Sequence, residues 1–270
     1  MPVSLTEVTL NPPFTVASLG DALKTACAAA GLGNPIADFS QFGYDRTLVY
    51  AVVTDASKAY GTQYLRLMIS PNGTRFDVAQ TLHSEFDLED TTFPGYGGGE
   101  SSWLLRPETL QIKSFASAEF KLIGLYQARL GNFTLLGTLR PTIQPAYWDE
   151  NISQFLLINI NESGNIPASA WSLSDISPYA YTGIRFGFES FPSKKNPFTN
   201  QADLLAGVAL YPIDPSGIFG ICSPDLVLAS DGNLNLGDVI TLPDNKRYYC
   251  FVKPTSANYA IPLLRISDAT

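Results

Sequence analysis

Arg46-Thr-Leu-Val-Tyr-Ala-Val-Val-Thr54, Tyr64-Leu-Arg-Leu-Met-Ile-Ser70, Pro71-Asn-Gly-Thr74 and Arg75-Phe-Asp-Val-Ala-Gln-Thr81 follow one another along the chain. The first two runs are β-branched, aromatic and aliphatic, with a polar turn between them. The last alternates apolar and polar residues, as a half-buried strand does. Asn72-Gly73 is a hairpin signal, because both residue types accept the positive φ of a type I′ turn. The stretch predicts a three-stranded β-meander.

The same grammar continues outward. Arg129-Leu-Gly-Asn132 predicts a second hairpin, joining Phe120–Tyr126 to Phe133–Leu139. Further strands are expected at 154–160, 183–188, 204–211, 226–229, 238–242 and 248–252. Many short strands punctuated by Gly and Pro indicate a mainly β fold, an antiparallel β-sandwich or barrel-like. One segment is helical by pattern, near residues 19–30. Leu19, Leu23, Ala26 and Ala30 recur at helical spacing, Ser18 and Asp21 have the spacing of a capping box, and Gly31, Gly33 and Pro35 end it. Phe93-Pro-Gly-Tyr-Gly-Gly-Gly-Glu100 has the composition of a loop. Pro141-Thr-Ile-Gln-Pro-Ala-Tyr-Trp148 is proline-punctuated and extended, and suggests a boundary between an N-terminal β domain, 1–145, and a C-terminal one, 146–270. A single domain is the alternative.

Composition excludes more chemistry than it assigns. Of the 270 residues, 45% are hydrophobic and only 16% charged, the reverse of a disordered chain. A net charge of −8 and a pI of about 4.6 argue against a nucleic-acid binder, which needs a basic face. His83 is the single histidine, so no multi-histidine metal site is available. Cys27, Cys222 and Cys250 are widely spaced and lack the clustering of a zinc site. They are expected as small buried side chains, with a Cys222–Cys250 disulfide as the alternative. The N-terminal residues have no signal-peptide pattern, and no run is long and apolar enough for a membrane helix. Synthesis in a cytoplasm is the expectation.

Individual constellations are weak. Gly95-x-Gly97-x-x-Glu100 departs from the dinucleotide fingerprint, so a contact loop is expected there and no cofactor. His83 has no nucleophile elbow to serve, and is expected as an ordinary polar or interface residue at a strand end. Glu85, Asp87 and Glu89 would share one face of a strand, as a solvated edge or as oxygen ligands for a hard cation. Asp231, Asn233 and Asn235 begin like a calcium loop, but Leu236 and Leu242 stand where that loop needs Gly and Glu, so a tight turn is expected. Tyr96, Trp103, Tyr147, Trp148, Trp171, Tyr179 and Tyr181 fall in loop-like stretches beside acids and amides. They are expected as core or subunit contacts, with sugar stacking as the alternative.

Trp103-Leu-Leu-Arg-Pro-Glu-Thr-Leu-Gln-Ile-Lys-Ser-Phe115, Glu119-Phe-Lys-Leu-Ile-Gly-Leu-Tyr-Gln127 and Gly137-Thr-Leu-Arg-Pro141 resemble segments of structural proteins from tailed-phage particles, including cyanophage tails. The resemblance covers about a fifth of the chain. It implies a β-rich, non-enzymatic virion subunit of a tail, baseplate or fibre, made in the host cytoplasm. Such a subunit would assemble with itself and other tail proteins, with no catalytic residues, cofactor, nucleic acid or membrane insertion. A β-sandwich that recognises host surface polysaccharide is the first alternative. A carboxylate-based glycan hydrolase or lyase is the second.

Overall fold

The computed structural model describes residues 2–41, 43–53, 61–95, 97–127, 132–143, 156–159, 169–173, 181–186, 194–195, 197, 200–212, 218–230, 233–251 and 260–267. A first strand, β1 (Ser4–Leu10), precedes the helix α1 (Val16–Ala29). The meander follows as β2 (Ala37–Gln41), β3 (Tyr44–Val53), β4 (Thr62–Asn72), β5 (Arg75–His83) and β6 (Gly97–Leu105). Next come β7 (Leu110–Ala116), β8 (Phe120–Gln127), β9 (Asn132–Leu139), β10 (Leu156–Asn159), β11 (Ser169–Leu173) and β12 (Tyr181–Phe186). The last are β13 (Leu204–Ala206), β14 (Ala209–Pro212), β15 (Gly220–Ile221), β16 (Leu226–Ala229), β17 (Val239–Thr241), β18 (Arg247–Cys250) and β19 (Ile261–Ile266).

These strands form three antiparallel sheets: a meander sheet β2-β3-β4-β5-β6, a central sheet β1-β7-β8-β9-β10-β11-β12-β14-β15, and a back sheet β13-β16-β19-β18-β17. The mainly β, antiparallel expectation holds, and the described residues include one helix, as expected. The central sheet takes strands from both sides of residue 145, with Leu139 of β9 opposite Leu156 of β10.

Side-chain alternation assigns the faces of the central sheet. Leu110 and Ile112 of β7, Ile123 and Leu125 of β8 and Leu136 of β9 join one core with α1 and the meander sheet, including Leu23, Tyr50, Leu67, Val78 and Trp103. Phe115, Phe120, Leu122, Tyr126, Leu135 and Leu139 point the other way, into a second core with Leu226, Leu228, Tyr249, Phe251 and Leu264. A third cluster, including Val227, Cys250 and Leu263, lies on the far face of the back sheet. The three cysteines are buried and form no disulfide. Burial pushes the Cys27 thiol up to about 12 and raises that of Cys222 as well, so both remain protonated packing groups.

The helix begins earlier than its pattern predicted. Thr15, not Ser18, is the N-cap: Ser18 N–H donates to Thr15 Oγ1 (3.2 Å), and Thr15 N–H donates to Ser18 Oγ (2.8 Å). Ser18 therefore closes the box from inside the helix. Asp21 is released for a different task. Arg46 on β3 donates from Nη2 to Asp21 (2.8 Å), from Nε and Nη2 to Asp38 (2.9 and 2.8 Å), and from Nη1 to the Ala17 carbonyl (2.7 Å). This fork clamps α1 to the meander sheet. Gly20 makes room for it, since a Cβ there would overlap the guanidinium. The helix ends as expected: Gly31 has φ +82°, and Gly31 and Leu32 N–H donate to the Ala28 and Cys27 carbonyls (3.0 and 2.9 Å), a Schellman closure.

Other strand expectations shift for local reasons. Asn72 pairs with Arg75, so the hairpin loop is Gly73-Thr74 and only Gly73 carries positive φ. Glycine at the first loop position fits a type II′ turn, not the type I′ turn expected at Asn72-Gly73. Residues 204–211 split between two sheets, because Gly207 turns the chain at φ +76°. Gly97–Gly99, read as loop, start β6: Gly97 and Gly98 pair with His83 and Leu82.

Two polar bridges join the meander side to the central sheet. Gln80 Oε1 accepts the Gly137 N–H in a buried site (2.8 Å), and Ser114 Oγ donates to the Ala26 carbonyl (2.9 Å). Gly137 has φ +111°, and a Cβ there would collide with the Lys121 carbonyl. Gly137→Ala should therefore cost about 3 kcal/mol or more in urea unfolding; a loss below about 1 kcal/mol would contradict the geometry. The Arg46 clamp has its own signature. Hydrogen bonding to Arg46 holds the Asp38 carboxyl at about 2, below its ordinary 3.8. A depressed acid stabilises the fold above the unfolded value and loses that contribution as pH falls through the folded one. Stability of the native chain should thus drop more steeply than that of Asp38→Asn between pH 4 and pH 2, read from urea midpoints.

Candidate functional site

Among the described residues, one face of the meander sheet, its outer face, takes no part in the core shared with α1 and the central sheet. Register places Thr47, Met68 and Ala79 in one row across it, and Val49, Arg66 and Thr81 in the next. Tyr64 and His83 form a third pair. Thr47, Val49, Met68 and Ala79 are all buried. Aromatic rings gather on this side. The Phe86 ring lies 6.3 Å from Phe39 in a stacked arrangement, 6.0 Å from Tyr64 and 4.9 Å from Phe93. Phe86 and Phe93 belong to the 84–95 connection between β5 and β6, which folds back on the sheet. The backbones of Asp87 and Thr92 bond to each other (2.8 and 3.2 Å), and Asp87 Oδ1 accepts the N–H groups of Glu89 and Asp90 (2.9 and 3.1 Å). The connection is a compact loop with its own turn.

Two nitrogenous side chains sit beneath this aromatic layer. Arg66 places its guanidinium carbon 4.8 Å from the Phe93 ring and 5.9 Å from Tyr44, and donates from Nη2 to Gln41 Oε1. His83 lies 4.2 Å from Phe93 between ring centroids, and its Nε2 is 2.8 Å from Thr81 Oγ1. Burial, together with the nearby Arg66 charge, lowers the His83 pKa from 6.5 to about 4. The imidazole is neutral at neutral pH and packs as an aromatic ring.

A cleft of about 500 Å³ opens beside the loop, lined by Tyr64, Ser84, Phe86, Leu88 and Pro94 with the acids Glu85, Asp87 and Glu89. The sequence reading placed those three acids along one strand face. They stand in the loop because β5 ends at His83 and the Asp87 turn takes over.

Of the predicted contact residues, Trp103, Trp171 and Tyr181 lie among the described residues. Trp103 is 3% exposed, between the meander and central sheets, so its ring is core and closed to a ligand. Trp171 and Tyr181 belong to β11 and β12, paired with Leu157 and Leu173, and not to loops. Tyr96, Tyr147, Trp148 and Tyr179 lie outside the described residues. Asp231 and Gly232, where the tight turn is expected, do also; beyond them Asp238 Oδ2 accepts the Asn235 N–H (2.7 Å). The rings that do gather, Phe39, Tyr64, Phe86 and Phe93, were missed. They come from separate strands and a loop, and only the register of the sheet makes them neighbours.

A second charged cluster joins the central and back sheets. Lys113 Nζ donates to the Tyr249 hydroxyl (2.8 Å), lies 3.5 Å from Glu7 Oε2, and stands 5.3 and 5.1 Å from the Tyr126 and Tyr249 ring centres. Burial works against its charge, but the Tyr249 hydroxyl and Glu7 outweigh it and raise its proton affinity. It acts as a charged pin between layers.

No protein-family model matches the chain, and no curated protein matches it in sequence. Among the described residues, no helix is long and apolar enough to cross a membrane.

Proposed function

We propose that this chain is a non-enzymatic structural subunit of a tailed-phage particle, in the tail, baseplate or fibre. It would be made in the host cytoplasm, carried in the virion, and assembled with itself and with neighbouring tail proteins. The observation that supports this reading best is that four of the eight exposed large apolar side chains among the described residues fall at sheet ends. Leu205 on β13 and Val239 on β17, 45% and 43% exposed, lie on the two terminal strands of the back sheet. Ile143 and Ile218, 59% and 46% exposed, flank β15 at the end of the central sheet, where Ile143 bridges to Ile221. Among the described residues, β13 pairs only with β16 and β17 only with β18. A terminal strand that offers backbone groups and apolar side chains suits edge-to-edge addition of a neighbouring subunit. The resemblance of residues 103–141 to tail proteins supports the same reading.

Light scattering after size exclusion should give a closed symmetric oligomer for the native chain. Leu205→Lys with Val239→Lys should shift it to smaller species with an unchanged melting temperature. A monomeric native chain that is also missing from purified particles would overturn the proposal.

A saccharide-binding role is the second reading, favoured by the cleft beside the 84–95 loop. It sets Tyr64 and Phe86 next to Glu85, Asp87 and Glu89, pairing rings for sugar faces with acceptors for hydroxyls. On an array of host surface glycans, this reading expects binding that Tyr64→Ala abolishes. An array with no hits rejects it.

A further inference from the structure

We propose that the 84–95 loop is an acid-released lid over the outer face of the meander sheet, with His83 as its proton sensor. The loop starts at the residue after His83 and is anchored by two rings. Phe86 packs on Phe39 and Tyr64, and Phe93 packs on His83 and Arg66. The Asp87–Thr92 backbone pair closes the segment between these anchors, so it moves as a unit.

The sensor works through Phe93. One ring carries a neutral imidazole at 4.2 Å and a guanidinium at 4.8 Å. A proton on His83 puts a second positive charge beside Arg66 in a half-buried site. Thr81 Oγ1 does not oppose this, because a hydroxyl accepts from a charged ring as readily as it donates to a neutral one. Among the described residues, the charged or titratable groups on the elements packed against the imidazole are Arg66 and Tyr64 from β4, Tyr44 at the start of β3, and Glu85, Asp87, Glu89 and Asp90 from the loop. Opposite His83 on β6 is Gly97, which has none. Glu85, Glu89 and Asp90 are exposed, where water screens them, and Asp87 accepts from two backbone N–H groups. The charged imidazole is best relieved by the departure of Phe93 and the entry of water. Departure of the loop also removes the Phe86 ring from Phe39 and Tyr64.

The sign follows from a lowered base. With a folded value of about 4 against 6.5, the contribution of His83 to the closed state is complete above 6.5 and lost as pH falls toward 4. His83 is the single histidine, so no second imidazole titrates between 6.5 and 4.

The chain's single imidazole gives one pair of ring C–H resonances, assignable without overlap from another histidine. Its titration can be followed by NMR beside hydrogen exchange of residues 84–95 in the full-length protein. The expected result is protection of the loop at pH 7, falling about tenfold or more by pH 4 along the imidazole titration, while β8 stays protected. His83→Gln should keep the loop protected within about twofold over the same range. Opening of the loop at the same pH in His83→Gln overturns the proposal, as does an imidazole that titrates near 6.5 over a loop that stays closed. Where His83→Gln does not fold, the native chain decides: imidazole and loop midpoints more than about one pH unit apart reject His83 as the sensor.

Discussion

Strand β8 has side chains packed on both of its faces, and the rest of the molecule is arranged around that fact. Phe120, Leu122 and Tyr126 enter the core shared with the back sheet, while Ile123 and Leu125 enter the core shared with α1 and the meander. A strand buried on both sides needs a layer over each face, because every apolar side chain left in water forgoes about 1.5–3 kcal/mol. The helix and meander sheet supply one cover and the back sheet the other. β7 and β9 repeat the pattern on either side of β8.

Directional contacts then fix how the layers sit. Gln80 reaches Gly137, Ser114 reaches the last turn of α1, and Lys113 reaches Tyr249. Val3 donates its N–H to the Arg265 carbonyl (2.8 Å), tying the start of the chain to the back sheet. Apolar packing alone tolerates sliding. A buried N–H that finds its acceptor in one register only does not. The inner face of the meander is committed to these contacts, and the rings of the 84–95 loop pack on its other side, against Phe39, Tyr64, His83 and Arg66.

The sequence shows local elements well and layered ones poorly. The meander, the hairpin before β9 and the helix were legible because each is carried by residues adjacent along the chain: alternating strands, a turn glycine, a helical stripe. The three-layer stack was not, because the run Phe120-Lys-Leu-Ile-Gly-Leu-Tyr-Gln127 has no period that separates two buried faces from one. β19 escaped notice for a different reason: Pro262 lies inside a strand with a neighbour on each side, where proline argues against a strand. Asp21 was read as a cap because its partner, Arg46, is 25 residues away. The aromatic site was missed on the same grounds. Its rings come from β2, β4 and a loop, and only pairing through the sheet makes them neighbours. Trp103 takes the first of the roles expected for it, a core ring, opposite Val78 on the inner face of the meander sheet.

Native-state hydrogen exchange across the whole chain tests the central claim most directly. If β8 is the two-sided centre, its amides exchange last, at the rate set by global unfolding. The terminal strands β13 and β17 and the 84–95 loop should open at lower free energy. Exchange of β8 ahead of the back sheet or of the meander strands β3 to β5 would contradict the account, because it would place the stable unit in one outer layer and make the central sheet an addition to it.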